Sequence, residues 1–465
     1  MTFIQSFGAA ETVTGSCHLL QLTNGVNILV DCGYFQGENE LQTLAPFEFD
    51  AKKVDILLIT HAHLDHTGRI PKLVKEGFDG KVIALRATME LAEVILLDSA
   101  KIAQEDYKIA LKKAKRAGQE KSVSPPIYTT DDAKAVFDLT IEYAHYNKTI
   151  KLSPDLQVTF RNAGHILGSA TIQIEFNEEE RTKSLVFSGD LGNRNDLIMP
   201  APSFIKQADA LYIESTYGDR NHRCLQDSIK EFKEIVISTL NNQGNVLIPS
   251  FAIERTQEIL LLLKQMYYDQ ELPLCKIFLD SPMAIRATQI YTHYHDELNT
   301  AANNLLMRDG TIFDFPYLHY SLKDKDSKRI NKEEGGCIII AGSGMCTGGR
   351  ILQHFKHRLW DGRNSIVFVG YQVQGTLGRQ MIEGANFISL YHEKIKVNAH
   401  IHMINGFSAH ADQSDLLAWM GEFKQLNKIY LIHGEPDKQA IFKDVISEQL
   451  NKSSHIVKYA EKIYL

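Results

Sequence analysis

Cysteine is scarce and unpaired in this sequence: Cys17, Cys32, Cys224, Cys275, Cys337 and Cys346 form no CxxC pair. Such scatter excludes both a disulfide framework and a thiolate zinc site, and the cysteines are expected as small buried residues. Long apolar runs are missing too. No stretch reaches the roughly 20 residues that a membrane-crossing helix needs, and the start, Met1-Thr2-Phe3-Ile4-Gln5-Ser6-Phe7-Gly8, lacks the basic opening of a signal peptide. A cytoplasmic protein without membrane contact is expected. Positive charge is in deficit, with 50 Lys and Arg against 57 Asp and Glu and a net charge of −7. A grip on nucleic acid by phosphate neutralisation alone is therefore disfavoured. Apolar material is plentiful, 44% of 465 residues, enough for two or three separate cores.

The densest chemistry lies in His61-Ala62-His63-Leu64-Asp65-His66, four potential metal ligands within six residues. The preceding Val54-Asp55-Ile56-Leu57-Leu58-Ile59 reads as a buried strand, and Thr67-Gly68-Arg69-Ile70-Pro71-Lys72-Leu73 as the opening of a helix. The cluster thus sits on a strand-to-helix loop. Imidazoles and a carboxylate suit a borderline cation such as Zn²⁺. His61 and His63 can reach one ion, while Asp65 and His66 turn to a second, roughly 3.5–4 Å away as in two-metal hydrolases.

A metal centre needs further ligands, and apolar runs deliver them. Val158-Thr159-Phe160 leads to His165, Leu185-Val186-Phe187 to Asp190, and Ile429-Tyr430-Leu431-Ile432 to His433. Strand ends along one sheet edge are where a rigid scaffold gathers distant side chains. His18–Thr23 and Val26–Val30 flank Asn24-Gly25, a hairpin signal in which both turn residues should take positive φ. That hairpin carries Asp31 to the same edge, as a carboxylate to orient a ligand imidazole. Asp55 is a weaker candidate for that role. The run Leu111-Lys112-Lys113-Ala114-Lys115-Arg116 is expected as a solvated helix end.

After Tyr217 the pattern alternates strands with helices. Val246-Leu247-Ile248, Ile277-Phe278-Leu279, Cys337–Ile340 and Ile366-Val367-Phe368-Val369 each run into a turn of small residues and then a helix, as in a parallel α/β domain. Ligand candidates lie on both sides, so this domain is an insertion. Ser250, Ser281, Ser343 and Gly344 would leave hydroxyls and backbone N–H groups at helix N-termini, suited to phosphate. Arg255 and Arg379 are expected as exposed helix residues.

These residues resemble the metallo-β-lactamase superfamily, and specifically its β-CASP branch of RNA-processing nucleases, which includes the polyadenylation-factor endonuclease and ribonuclease J. Asp31 in Val30-Asp31-Cys32-Gly33 looks like the first motif, His61–His66 the second, His165 the third and Asp190 the fourth. Glu214 in Glu214-Ser215-Thr216-Tyr217-Gly218 looks like motif A, His410 in Ser408-Ala409-His410-Ala411-Asp412 like motif B, and His433 in His433-Gly434-Glu435 like motif C. The resemblance implies an αββα metallo-β-lactamase sandwich over 1–217 and 396–465, with a parallel α/β β-CASP domain inserted at 218–395. It implies two zinc ions, one on His61, His63 and His165, the other on Asp65, His66 and His433, with Asp190 bridging. It further implies hydrolysis of single-stranded RNA by a two-metal hydroxide mechanism, endo- and also exonucleolytic action being open, leaving 5′-phosphate and 3′-hydroxyl. Asp65 would orient the nucleophile, His410 protonate the leaving oxygen and Glu214 hold His410, while Ser250 and Ser343 fall where the family contacts the RNA backbone, with Gly344 beside Ser343 as a further phosphate candidate. A homodimer and an RNA-processing protein partner stay open. So do a hydrolase of a small ester, thioester or cyclic phosphodiester and a DNA nuclease of the same branch. The inserted domain argues against the first, and His433 against the second.

Overall fold

The computed structural model describes residues 1–465 except 120–122, 180, 371 and 373. The chain divides into two compact units, Met1–Arg194 with Ala201–Asn221 and His410–Leu465, and Asn195–Pro200 with His222–Ala409.

In the first unit, two seven-stranded sheets lie face to face. One runs in the order Lys462–Tyr464, Phe3–Ser6, His18–Gln21, Asn27–Val30, Ile56–Leu58, Lys81–Leu85, Ile141–Ala144. The other runs Ser454–Ile456, Gln425–Ile432, Gln207–Glu214, Arg181–Phe187, Ala170–Glu178, Leu156–Asn162, Thr149–Ser153. Alternation along the strands builds the layers. Leu58 and Ile83 join Phe160, Ile172 and Phe187 in the core between the sheets. Their neighbours Leu57 and Val82 point the other way and pack with Ile70, Leu73 and Met89. On the far side, Leu211, Ile213 and Leu431 meet Leu416, Trp419, Met420, Phe442 and Ile446. The result is the αββα sandwich.

The second unit holds a six-stranded sheet in the order Leu318–Tyr320, Lys276–Leu279, Cys337–Ala341, Val246–Pro249, Ser365–Phe368, His400–Met403, with every pair parallel. Three of its inner strands, Val246–Pro249, Cys337–Ala341 and Ser365–Phe368, are largely apolar and buried throughout, as helices on the connections require. The return strand His400–Met403 belongs to this sheet.

Three local expectations are corrected. In the first hairpin only Gly25 takes positive φ, at 91°, because the loop is longer than two residues, with Leu22 N–H bonded to Val26 C=O and Gly25 N–H to Leu22 C=O. Cys224 is exposed, since it precedes the helix Leu225–Asn241 on its open side, whereas the other five cysteines are buried. Arg255 is buried, at 7% exposure, and pairs with Glu258 one turn on; Arg379 is half-buried and pairs with Glu383 at 2.7 Å. Among the described residues, no helix is long and apolar enough to cross a membrane.

Candidate metal centre

The loop His61–His66 is pinned by backbone before any side chain acts. Ser16 N–H donates to Asp65 C=O at 2.8 Å and Cys32 N–H to His66 C=O at 2.8 Å. Gly33 is obligatory beside it, because a Cβ there would stand 1.6 Å from the Asp65 carbonyl oxygen. Thr60 and Asp31 complete the frame. Asp31 receives Thr60 N–H on Oδ1 and Thr60 Oγ1–H on Oδ2, both at 2.8 Å, and stands 2.7 Å from His66 Nδ1. His66 is thereby turned so that Nε2 faces inward.

Two sets of donors converge. In the first, His61 Nε2 lies 3.1 Å from His63 Nδ1, which lies 3.2 Å from His165 Nε2. Asp190 Oδ2 closes the set, 3.4 Å from His61 Nε2 and 3.7 Å from His165 Nε2. In the second, His66 Nε2 lies 3.3 Å from His433 Nε2, and Asp190 Oδ1 lies 3.3 and 3.7 Å from the same two atoms. Asp65 Oδ2 stands 3.5 Å from His433 Nε2. A tetrahedral zinc with bonds of about 2.0–2.1 Å places its ligand atoms about 3.3–3.4 Å apart, so both sets have the right edge length. Asp190 presents one oxygen to each. Its Oδ1 is buried without a hydrogen bond, a cost that a cation would remove.

Protonation follows the same layout. Burial, reinforced by the neighbouring His66, pushes His61 well below the usual imidazole range, and burial brings His63 down to about 4, so both present lone pairs. Burial would lower His66 too, but Asp190 and Asp31 outweigh it and raise it well above its ordinary value. A cation between those groups competes with that proton. Burial opposes ionisation of Asp65, yet His433 and His66 bring it down to about 2.

His410 stands beside this cluster, its Nδ1 3.2 Å from Glu214 Oε2 and 4.0 Å from Asp190 Oδ2. Its ring centroid is 4.5 Å from that of His165. Burial works against a charged imidazole, but Glu214, then Asp190 and Asp65, carry His410 up to about 9. Glu214 is fully buried and also accepts Leu191 N–H at 2.6 Å, which ties it to the loop after Asp190.

All ten residues expected in the first unit, Asp31, His61, His63, Asp65, His66, His165, Asp190, Glu214, His410 and His433, thus meet at one edge of the sandwich. Asp55 does not; it accepts Asn27 N–H at 2.8 Å at the base of the sheet. Ser250, Ser343 and Gly344 lie together in the second unit. Ser250 is buried, donates to Phe251 C=O and receives Thr256 Oγ1–H, and Ser343 accepts Thr347 N–H at 3.0 Å. Only Ser281 caps a helix, through Ala284 N–H; Ser250 and Ser343 fall several residues before Arg255–Tyr268 and Ile351–Arg358 because longer turns intervene. Sequence reasoning passed over Thr60, Thr216, Ser16 and His18. His18 Nδ1 bonds Ser6, its Nε2 lies 3.3 Å from Ser16 Oγ, and Ser16 donates to Asp31 Oδ2 at 3.3 Å. The available signal was a polar residue breaking an apolar strand next to a motif.

The chain matches the metallo-beta-lactamase superfamily over residues 11–148, a Beta-Casp domain over 256–381 and a Zn-dependent metallo-hydrolase RNA specificity domain over 394–457. It is 41% identical over 436 residues to Ribonuclease TTHA0252 of Thermus thermophilus, covering 94% of each chain. It is 32% identical to transcription termination factor FttA of Methanocaldococcus jannaschii, across 97% of this chain and 70% of that protein. The namesake from Methanosarcina mazei is 30% identical across 93% of this chain and 67% of its own length. Taken with the sandwich, the inserted parallel domain and the paired donor sets, these matches mean that the chain belongs to the β-CASP branch of the metallo-β-lactamase superfamily of metallo-hydrolases.

Proposed function

We propose that this chain is a zinc-dependent ribonuclease that hydrolyses phosphodiester bonds of single-stranded RNA and leaves a 5′-phosphate and a 3′-hydroxyl. The observation that carries the reading is the pair of donor sets sharing Asp190, with His410 held by Glu214 beside them. His61, His63 and His165 would hold one ion, Asp65, His66 and His433 the other, with Asp190 between them. Two such ions supply acidified water at neutral pH and neutralise charge on the phosphate oxygens.

The chain's own groups do the rest. Asp65 orients the attacking water in line with the scissile bond. His410 keeps a proton at neutral pH because Glu214 holds Nδ1, and Nε2 is the atom from which that proton passes to the leaving 3′-oxygen. Asp31 fixes the ring of His66. Ser250 and Ser343, as the resemblance to the family implies, and Gly344 beside Ser343, all in the second unit, are the residues proposed to contact the RNA backbone. The relatives named ribonuclease and transcription termination factor support RNA over a small ester or thioester.

One RNA labelled at its 5′ end, and again at its 3′ end, tests the reading with metal-stripped and zinc-restored protein. Restored protein should cut and stripped protein should not. Internal fragments would mark endonucleolytic action and stepwise mononucleotides exonucleolytic action. Absence of cleavage by the zinc-restored protein overturns the reading.

A further inference from the structure

The strand Gln207–Glu214 runs out into three consecutive polar side chains that each take hold of a distant segment. Glu214 holds Leu191 and His410. Ser215 Oγ donates to Ile432 C=O at 2.6 Å and receives Gln439 Nε2–H at 3.1 Å. Thr216 turns to His433: its hydroxyl lies 3.0 Å from Nδ1 and donates to the carbonyl oxygen of the same residue at 3.2 Å.

The carbonyl can only accept, so when the hydroxyl gives it its one proton the hydroxyl oxygen accepts from the ring, and Nδ1 carries the hydrogen. The lone pair is then on Nε2, the atom 3.3 Å from His66 Nε2 and 3.7 Å from Asp190 Oδ1. The backbone also needs holding there. His433 has φ 51°, in the left-handed region that residues with a Cβ disfavour. Its N–H is tied to Ala9 C=O at 2.7 Å, and Thr216 ties its carbonyl. The first donor set has its own support, such as Thr60 Oγ1 at 3.1 Å from His61 Nδ1.

We propose that Thr216 is a positioning residue that fixes His433 in its Nε2-donating tautomer and so sets metal affinity at the Asp65, His66 and His433 position, independently of the other. The inference rests on the dinuclear reading above. Removing the orienting partner of a ligand histidine typically weakens metal binding about 10–100-fold, and here the loss should fall on one ion of the two.

Thr216→Val keeps the branched shape without the hydroxyl, Thr216→Ala removes both, and Thr216→Ser keeps the hydroxyl. Zinc is withdrawn from the loaded protein by a chromophoric chelator, and thermal melting of each variant reports folding separately. Wild type should release two ions in two steps. Thr216→Val and Thr216→Ala should leave one step in place and weaken the other about 10–100-fold, and Thr216→Ser should restore it. Variants that keep both steps, or weaken both alike, overturn the proposal. A wild type that holds a single ion overturns the dinuclear reading itself, and the role of Thr216 with it.

Discussion

His410 illustrates how far one side chain's surroundings can define its work. Glu214 reaches it from a strand end, Asp190 lies 4.0 Å from the same ring nitrogen, and the two carboxylates overcome the burial that would strip its proton. A positioned proton donor is worth about 10²–10⁴ in rate. His410→Ala should therefore lower kcat on RNA by about 10²–10⁴-fold while zinc content stays at the wild-type level. Elemental analysis beside single-turnover cleavage checks both halves, and full turnover in the variant would remove His410 from the chemistry. Asp31 and His433 share another trait: both adopt positive φ, 59° and 51°, without being glycine. Their strain is held by neighbours at the site, Thr60 for one and Thr216 for the other.

The strand Gln207–Glu214 is the keystone among the elements. It pairs in parallel with Arg181–Phe187 on one side and Gln425–Ile432 on the other, so Asp190, Glu214 and His433 emerge at one level. Leu211 in its middle is fully buried against the helices of the outer layer. Leu211→Ala should cost about 2–5 kcal/mol, seen as a lower melting temperature, while cleavage well below that temperature persists. Unchanged melting would mean that the layer contributes little to stability. This element also marks what the sequence made legible. Its apolar run ending in Glu214-Ser215-Thr216, like those ending in His165, Asp190 and His433, could be read because periodicity and a terminal ligand type are local signals. The tautomer each imidazole adopts, the two-sided use of Asp190 and the Ser6, His18, Ser16, Asp31 chain could not, since they depend on which distant strands become neighbours. Arg255 was misjudged for the same reason, as a cation in a helix looks solvated until the acids around it are known.

Those acids form another largely buried cluster among the described residues. Asp196, Glu254 and Glu258 bring donor atoms within 4.8 Å of one another, with Arg255 paired to Glu258 and the Tyr291 hydroxyl donating to Glu254. Burial first, with Asp196 adding to it and Arg255 opposing, pushes Glu258 up to about 8. The folded chain thus binds a proton that an unfolded glutamate, near pKa about 4.3, releases. Stability from this group is complete below about pH 4.3 and is lost as pH climbs through about 8. Glu258→Gln is neutral at every pH and should flatten that decline. Urea denaturation of both proteins across the interval measures it, and parallel pH profiles would refute the shifted carboxyl.

The order in which the metal donors occur along the chain has a consequence for synthesis. His61 through Asp190 are translated early, but His410 and His433 follow nearly all of the second unit. The set of His61, His63, His165 and Asp190 is therefore complete in the chain before most of the second unit is made, whereas the set that includes His433, and His410 beside it, is complete only afterwards. On the proposed reading, a product stopped within the second unit would lack both His410 and His433 and should be inert toward RNA.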